Sequence, residues 1–467
     1  MTDPLTELQA IVPDAWLVGG TVRDRLLERP TGDYDVVLPL DGADRVQRSA
    51  RALGRSAGGV AFALSDAFGA WRVVDHDRRW QVDLTPLEGE TIEADLGRRD
   101  LTVNAIAQPL GQDGPLVDPT GGLHDLEAGR LRAVAPDAFV RDPLRTLRVA
   151  RLAAELAFTV EPETLSLARA SAPGLAGVAI ERVFAELRRL MSSDGALEGI
   201  ELMDAIEVTA AVLPELVALR GIAQSRFHHL DVYDHTRAVL AETIALQADP
   251  EPVFGAQAQA LLAFLDQPLA NELTRGQAMR FGALLHDIAK PQTRDTTPEG
   301  RVTFMRHDVA GADAAVAILG RLRASDRLAE HVAALTRHHL RLGFLVHSMP
   351  LGPREIYRYL DTCAPVAVDV TVLSVADRLA TQGDNAERAI IRHLELAREL
   401  LAAGLALEAD PPRPPLRGDE LAAALAIRPG PRLGELLHEL EEAAYAGEVS
   451  SREEAIAYAR QRVQHDG

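Results

Sequence analysis

"LVGGTVRDRLLERPTGDYDVVLP" (residues 17–39) divides into two halves of opposite charge preference. "AWLV" reads as a strand, and Gly19-Gly20 after it lets the backbone turn tightly and approach a ligand closely. A short helix follows, with Thr21 placed to cap it and Asp24 three residues on in a loose capping box. A helix N-terminus beside bare glycine N–H groups suits an anion, and Arg23 in the first turn adds positive charge. The second half, "DYDVV", reads as a strand. Residues two apart on a strand share a face, so Asp33 and Asp35 project side by side. Carboxylates this close repel unless a cation lies between them, and Mg²⁺ takes a couple of carboxylates plus phosphate oxygens. Asp83 in "WQVDLTPL", on a neighbouring strand, supplies a third. An anion cradle facing a cation-binding pair suits a nucleoside triphosphate with its metal.

The surrounding pattern points to an α+β protein. Residues 1–135 alternate strand patterns ("YDVVLPL", "WRVVD", "WQVDLTPL") with helical ones ("DRVQRSARAL"), as in a mixed sheet with helices. Helical patterns then continue over 136–215 and 216–405, and after the proline-rich break "EADPPRPPLRGDE" two closing helices are expected within 406–467. At 467 residues the chain is long enough for three or four domains of about 150 residues. The boundaries expected are 135/136, 215/216 and 405/406.

Composition excludes several classes. The opening "MTDPLTELQAIVPDA" lacks a basic start and an apolar core, and no apolar run approaches the ~20 residues of a membrane span. Cys363 is the only cysteine, which excludes a disulfide framework and a cysteine-rich zinc site. Cytoplasmic location without a membrane partner is expected. Net charge is −20, and Lys290 is the only lysine. A P-loop needs a lysine after its glycines, and no such sequence occurs. Phosphate handling therefore falls to arginines, backbone N–H groups and metals.

"RDPLRTLRVARLAAEL" (141–156) reads as one amphipathic helix, with Arg141, Arg145, Arg148 and Arg151 along one face. Asp142 lies three residues before Arg145, close enough to be oriented by it. An aspartate accepts from an exocyclic amino group, while an arginine fork donates to ring nitrogens and carbonyls. Such a pair accepts cytosine and adenine and refuses uracil and guanine.

The second half collects histidines: "DVYDHT" (His235), "ALLHDIAK" (His286, Asp287), "MRHDVAGA" (His307), "TRHHLRLG" (His338, His339), then "SVADRLA" (Asp377). Imidazole and carboxylate are ligands for first-row divalent metals.

"GGTVRD", "DYD", "RRDLTVNAIA" (98–107), "DPTGGLHDLEAGRLRAV" (118–134) and "DPLRTLRVARLAAEL" (142–156), in this order, resemble the bacterial-type (class II) tRNA nucleotidyltransferase and poly(A) polymerase family. The H…HD…H…HH…D order resembles the HD-domain phosphohydrolases, which a subset of that family carries, and the tail is similar to the C-terminus of those members. The resemblance implies a nucleotidyltransferase head (1–135), a helical neck (136–215), an HD domain (216–405) and a tail (406–467). It implies addition of C and/or A from CTP and ATP to tRNA 3′ ends without a nucleic-acid template. Asp33 and Asp35, with Asp83, would form the catalytic Mg²⁺ site. Gly19, Gly20 and Arg23 would face the triphosphate, and Arg99 and Asp100 the sugar and phosphates. Asp142 and Arg145 would read the base, with Arg148 and Arg151 nearer the phosphates. His235, His286, Asp287 and Asp377 would bind one divalent transition metal, and His307, His338 and His339 would make room for a second, serving a phosphatase or 2′,3′-cyclic phosphodiesterase that mends RNA ends. His228 and His229 are outer-shell candidates. Only "EGETIEADLG" separates "VDLTPL" from "RRDLTV", a shorter connection than full CCA-adding relatives tend to have, and this leans towards an enzyme that stops after CC. Two alternatives are a poly(A) polymerase and a mainly hydrolytic HD protein with a nucleotide-sensing N-terminal domain. No oligomeric state is read from the sequence.

Overall fold

The computed structural model describes residues 3–39, 44–65, 69–110, 114–224, 229–382, 386–411 and 416–465. The chain divides into two compact units, Met1–Val212 and Leu213–Gly467. The fold is α+β.

The first unit is built on six strands, β1 (Trp16–Val18), β2 (Asp33–Leu38), β3 (Gly59–Ser65), β4 (Ala70–Asp75), β5 (Gln81–Pro86) and β6 (Ala107–Pro109). They lie in the order β3-β4-β5-β2-β1-β6. β2 and β5 run parallel, whereas the other neighbours pair antiparallel. Register partners share a face of a sheet, so the pairing sorts the side chains. Ala61, Val73, Val82 and Tyr34 fall in one row, with Val36 and Leu84 beside them. This face packs into the core beneath helices α1 (Pro4–Ile11) and α3 (Arg45–Ala57). The opposite face carries the row Phe62, Arg72, Asp83, Asp35.

Helix α2 (Gly20–Leu26) follows β1 directly. Its N-cap is Gly19, at φ 66° and ψ −139°, with no side-chain cap. Thr21 is not the cap. Its hydroxyl instead accepts from Asp35 N (2.7 Å) and donates to Asp33 O (3.2 Å), while Asp24 pairs with Arg23. The threonine is more useful to β2, whose carboxylate-bearing backbone it pins to the helix start.

After β5, Thr91 caps α4 (Ile92–Leu96) by accepting from Ala94 N, and Glu88 N donates to Asp95. The connection is short and fastened at both ends. The single helix expected over 141–156 is two helices, α6 (Ala138–Arg141) and α7 (Leu144–Leu156), numbered after α5 (Gly122–Glu127). The break lies at Asp142, extended at φ −144° and ψ 99°. A following proline disfavours the helical region for the residue before it, and Pro143 supplies that clash. Arg141 therefore belongs to α6, paired with Asp137, and not to the α7 stripe. Helices α8 (Pro162–Ser171), α9 (Ile180–Ser192) and α10 (Ala196–Ala205) follow, and all three pack on α7.

In the second unit the helices Val232–Ala248, Arg275–Leu285 and Ala367–Ala380 pack on one another, and Arg275–Leu285 and Ala367–Ala380 also meet Asp326–His338. The run Ala367–Ala376 is buried throughout, as expected of a segment apolar nearly all round. His307–Arg321 lies on Asp326–His338. Three helices close the chain, Gly418–Leu425 in addition to the two expected (Pro431–Tyr445 and Arg452–His465), around Leu421, Leu436, Leu440 and Ala455. Among the described residues no single helix is long and apolar enough to cross a membrane.

Candidate functional site

A cleft of about 520 Å³ opens over the polar face of the first unit's sheet, lined by Gly20, Asp33, Asp35, Asp83, Arg99 and Arg148 among others. Asp33 and Asp35 point the same way from β2, and Asp83 is the register partner of Asp35. Among the described residues neither β2 carboxylate accepts a side-chain hydrogen bond. Asp83 differs: Arg72 grips both of its oxygens, at 2.6 and 2.7 Å. Desolvation in the cleft pushes the Asp35 carboxyl above the usual range, Arg99 opposes this, and Asp83 adds to it. A set of oxygen donors that repel one another and lack donors of their own fits a hard divalent cation.

The glycine turn is tight. A Cβ on Gly19 would lie 3.0 Å from Arg99 Nη1 and 3.1 Å from Asp35 Oδ2. With its backbone conformation this admits only glycine. The turn thus brings the start of α2, the Arg99 guanidinium and the Asp35 carboxylate together.

The remaining sequence candidates are more enclosed than expected. Arg23 borders the cleft but is buried, held by Asp24 (2.8 and 2.9 Å) and by Asn104 Oδ1 (2.7 Å). Asp100 is also buried: its Oδ1 accepts from Leu101 N and Asn104 Nδ2, and Oδ2 lies 3.2 Å from Arg148 Nη1. Burial alone raises this carboxyl, but Arg148 and the hydrogen bonds outweigh it and hold it far below the usual range. Arg148 continues to Glu186 of α9 (3.2 Å), and Glu186 to buried Arg151. Arg148 and Arg151 of the α7 stripe therefore belong to an ion-pair chain that runs from Asp100 to Glu186 of α9. Arg99 is bound by Asp95 (3.1 Å) and faces the cleft.

The side chains of Asp142 and Arg145 do not bond to each other, and the two residues are joined only through the backbone, Arg145 N donating to Asp142 O at 3.0 Å. Asp142 accepts from Leu144 N and pairs with Arg182 (2.8 Å), while Arg145 donates to the carbonyls of Arg99 and Ala138, both at 3.0 Å. Pro143 separates them into different backbone segments. A second hollow of about 400 Å³, lined by Pro86, Asp95, Arg99, Asp100, Arg145 and Arg148 among others, shares Arg99 and Arg148 with the cleft. Sequence reading missed Arg72, Asp95, Asn104, Arg182 and Glu186. Asn104 lay within the quoted "RRDLTVNAIA", but its link to Arg23 spans 81 positions.

In the second unit, His235, His286 and Asp287 form one buried group, and Asp287, His307 and His339 a second. Asp377 Oδ1 lies 3.0 Å from His235 Nε2 and joins the first. Asp287 Oδ2 is 3.2 Å from His286 Nε2, and its Oδ1 is 3.3 Å from His307 Nε2 and 3.8 Å from His339 Nε2. In His286, His307 and His339 Nδ1 is bonded to the carbonyl three residues earlier, at 2.6–2.9 Å. That contact assigns the proton to Nδ1 and aims the Nε2 lone pair inward, as metal-ligating histidines require. The Nε2 atoms of His286 and His307 and Oδ1 of Asp287 are buried without hydrogen-bond partners, so the donor set fits divalent metal. Burial keeps His339 neutral, its pKa lowered to about 4. Burial alone raises Asp287, but His286 and Lys290 hold it well below the usual range.

His338 is the exception. Its Nδ1 accepts from Arg341 Nε (2.9 Å), and neither metal-fitting group among the described residues includes it. It closes a helix that His339 follows, so the two adjacent side chains leave the backbone in different directions. His229 is exposed, and His228 lies outside the described residues. Lys290, noted from sequence only for its rarity, lies 2.6 Å from both Asp287 Oδ2 and Gln224 Oε1. Its position three residues after the His-Asp pair was the signal.

Residues 15–132 match the family model "Poly A polymerase head domain", 157–219 "Probable RNA and SrmB- binding site of polymerase A", and 232–382 "HD domain". The chain is 36% identical to an A-adding tRNA nucleotidyltransferase of Deinococcus radiodurans, covering 96% of this chain and 95% of that protein. It is 35% identical to a CC-adding tRNA nucleotidyltransferase of Thermus thermophilus, covering 95% and 93%. A solved Thermotoga maritima CCA-adding enzyme complexed with tRNA shares the fold at a TM-score of 0.62 and 19% identity, over 99% of this chain and 96% of that one.

Proposed function

The chain belongs to the tRNA nucleotidyltransferase and poly(A) polymerase family, in its HD-bearing branch, and from that premise we propose that it extends tRNA 3′ ends with C and/or A from CTP and ATP. The observation that carries this reading is the pair of ungripped carboxylates, Asp33 and Asp35, set against Gly19 and Arg99. In the reaction the RNA 3′-oxygen bonds to the α-phosphorus and pyrophosphate leaves. Asp33 and Asp35 would hold Mg²⁺, which would supply charge neutralisation at the reacting phosphate and the 3′-oxygen. Gly19 and Gly20 bring backbone N–H groups to the triphosphate, and Arg99 adds charge without reorganisation. Asp100, Asn104 and Glu186 keep Arg23, Arg148 and Arg151 in place. Arg145, which lines the adjoining hollow, and Asp142 beside it read the base edge.

The pinned connection between β5 and α4 favours an enzyme that stops after CC, since nothing there resembles a mobile loop. Ungripped carboxylates weigh against a mere nucleotide sensor, and relatives that act on tRNA weigh against a messenger poly(A) polymerase. The HD groups support a phosphohydrolase on 2′,3′-cyclic or terminal phosphates. His235, His286, Asp287 and Asp377 would hold one divalent transition metal and His307 and His339 with Asp287 a second, and Lys290 pairs with the Asp287 carboxylate. We divide the chain into head (1–135), neck (136–215), HD domain (216–405) and tail (406–467), and place it in the cytoplasm. The test offers tRNA ending at the discriminator base, at C and at CC with labelled CTP or ATP. Two C additions and no A are expected. Incorporation of A alone would make it A-adding, and long A tails would overturn the tRNA reading.

A further inference from the structure

The polar face of the sheet does not end at the cleft. Across it, Asp35 on β2 is followed by Asp83 on β5, Arg72 on β4 and Phe62 on β3. β3 is an edge strand. It exposes Val60, Phe62 and Leu64 at 51, 44 and 46%. Alternate residues share a face, which sets Val60 and Phe62 on this one, and Leu64, at the bulge between Ala63 and Ser65, continues the exposed apolar ridge along the strand. Edge strands are ordinarily blunted by charge or covered, and an exposed apolar patch beside a polar cleft marks a binding surface.

The direction of the chemistry says what the ridge meets. Gly19 and Arg99 place the triphosphate on the β1 side of Asp35. In nucleotidyl transfer the attacking and leaving oxygens lie roughly in line, so the RNA 3′-hydroxyl enters from the other side, along β5, β4 and β3. Three strand spacings separate β2 from β3, about 14 Å, which is beyond the terminal nucleoside and within reach of the base behind it. Phosphates gain nothing near Asp33, Asp35 and Asp83. A base gains from an aromatic face, and stacking needs no sequence match.

We propose that the Val60–Phe62–Leu64 ridge is the track for the single-stranded 3′ end of the RNA acceptor, with Phe62 as the stacking platform for the base behind the terminal nucleotide. This rests on the nucleotidyl-transfer reading. Phe62 is a positioning residue, and Arg72, gripping Asp83, lies between it and the reacting atoms.

The test compares full-length wild type with Phe62→Ala, Phe62→Leu and Phe62→Trp, using labelled CTP and a tRNA transcript ending at the discriminator base. Alanine and leucine should raise the KM for tRNA about tenfold, leaving the KM for CTP and hydrolysis of 2′,3′-cyclic AMP unchanged. Tryptophan should stay close to wild type. An unchanged tRNA KM in the alanine variant, or full activity in the leucine variant, would overturn the inference. So would loss of a dimer in sedimentation with tRNA KM unaffected, which would make the ridge an interface between copies. Wild-type protein that incorporates no nucleotide would instead overturn the transferase reading itself.

Discussion

Asp35 and Asp83 are register partners on parallel strands, yet only Asp83 is gripped, by Arg72 at 2.6 and 2.7 Å. The clamp fixes where Asp83 points, while Asp35 has no such grip. Asp83→Asn should lower kcat about 100-fold, the scale of a lost general base or ligand, with the KM for CTP little changed. Steady-state kinetics measure this, and wild-type kcat in the variant would remove Asp83 from the reacting set.

Asp100 ties the sheet region to α7 through Arg148 while accepting from Leu101 N and Asn104. Asp100→Ala strands three donors at once. Arg148 is partly exposed and water compensates it in part, so a loss of about 2 kcal/mol is expected, below the usual penalty for breaking a buried pair. Urea unfolding monitored by circular dichroism reads this loss. CTP affinity should fall as well, because Arg148 borders both hollows.

His331 and Asp369, 3.8 Å apart in the second unit, titrate in opposite senses. Burial lowers His331 to about 3, so as pH falls below its unfolded value near 6.5 the unfolded chain gains a proton the native state refuses. Burial raises Asp369 to about 6 despite Arg275, so below about pH 6 the native state gains a proton first. The two slopes, each about 1.4 kcal/mol per pH unit, largely cancel between pH 6 and 4. Asp369→Asn should make stability fall with decreasing pH across that window, and His331→Gln should make it rise. Denaturant midpoints at pH 6, 5 and 4 check both signs.

Asp287 faces both groups of histidines, so its loss should cost more metal than the loss of any one histidine. Metal analysis of protein saturated with Mn²⁺ and desalted should show full depletion from the HD site in Asp287→Ala and partial depletion in His307→Ala. Chelation should lower the melting temperature of the wild type, because buried donors are left without partners. Undiminished metal in Asp287→Ala would remove it from the site.

Local chemistry was legible in the sequence wherever spacing alone decides geometry. Asp33 and Asp35 share a face because a strand repeats every two residues, and Gly19 is required because the turn leaves no room for a side chain. The order of histidines marked the second site, although it could not show that His339, and not its neighbour His338, points inward. Pairings over long distances were not legible. Nothing in "VRD" shows that Arg23 is held by Asn104, and nothing in "LRVARL" shows that Glu186 occupies two of its arginines. β3 was missed because "GVAFALS" alternates large with small apolar residues and not apolar with polar, and its small residues carry little strand signal. The break at Asp142 was in principle readable, since Pro143 restricts the residue before it, but the helical spacing of the arginines hid it.

Two separate chemistries on one chain are tested most directly by crossing their variants. Asp35→Ala and Asp287→Ala are each assayed for labelled CTP incorporation into tRNA and for hydrolysis of a 2′,3′-cyclic nucleotide. Asp35→Ala should abolish incorporation and retain hydrolysis, and Asp287→Ala should do the reverse. Incorporation that survives in Asp35→Ala, with tRNA and CTP saturating, would contradict the assignment of the β2 carboxylates as the polymerising site.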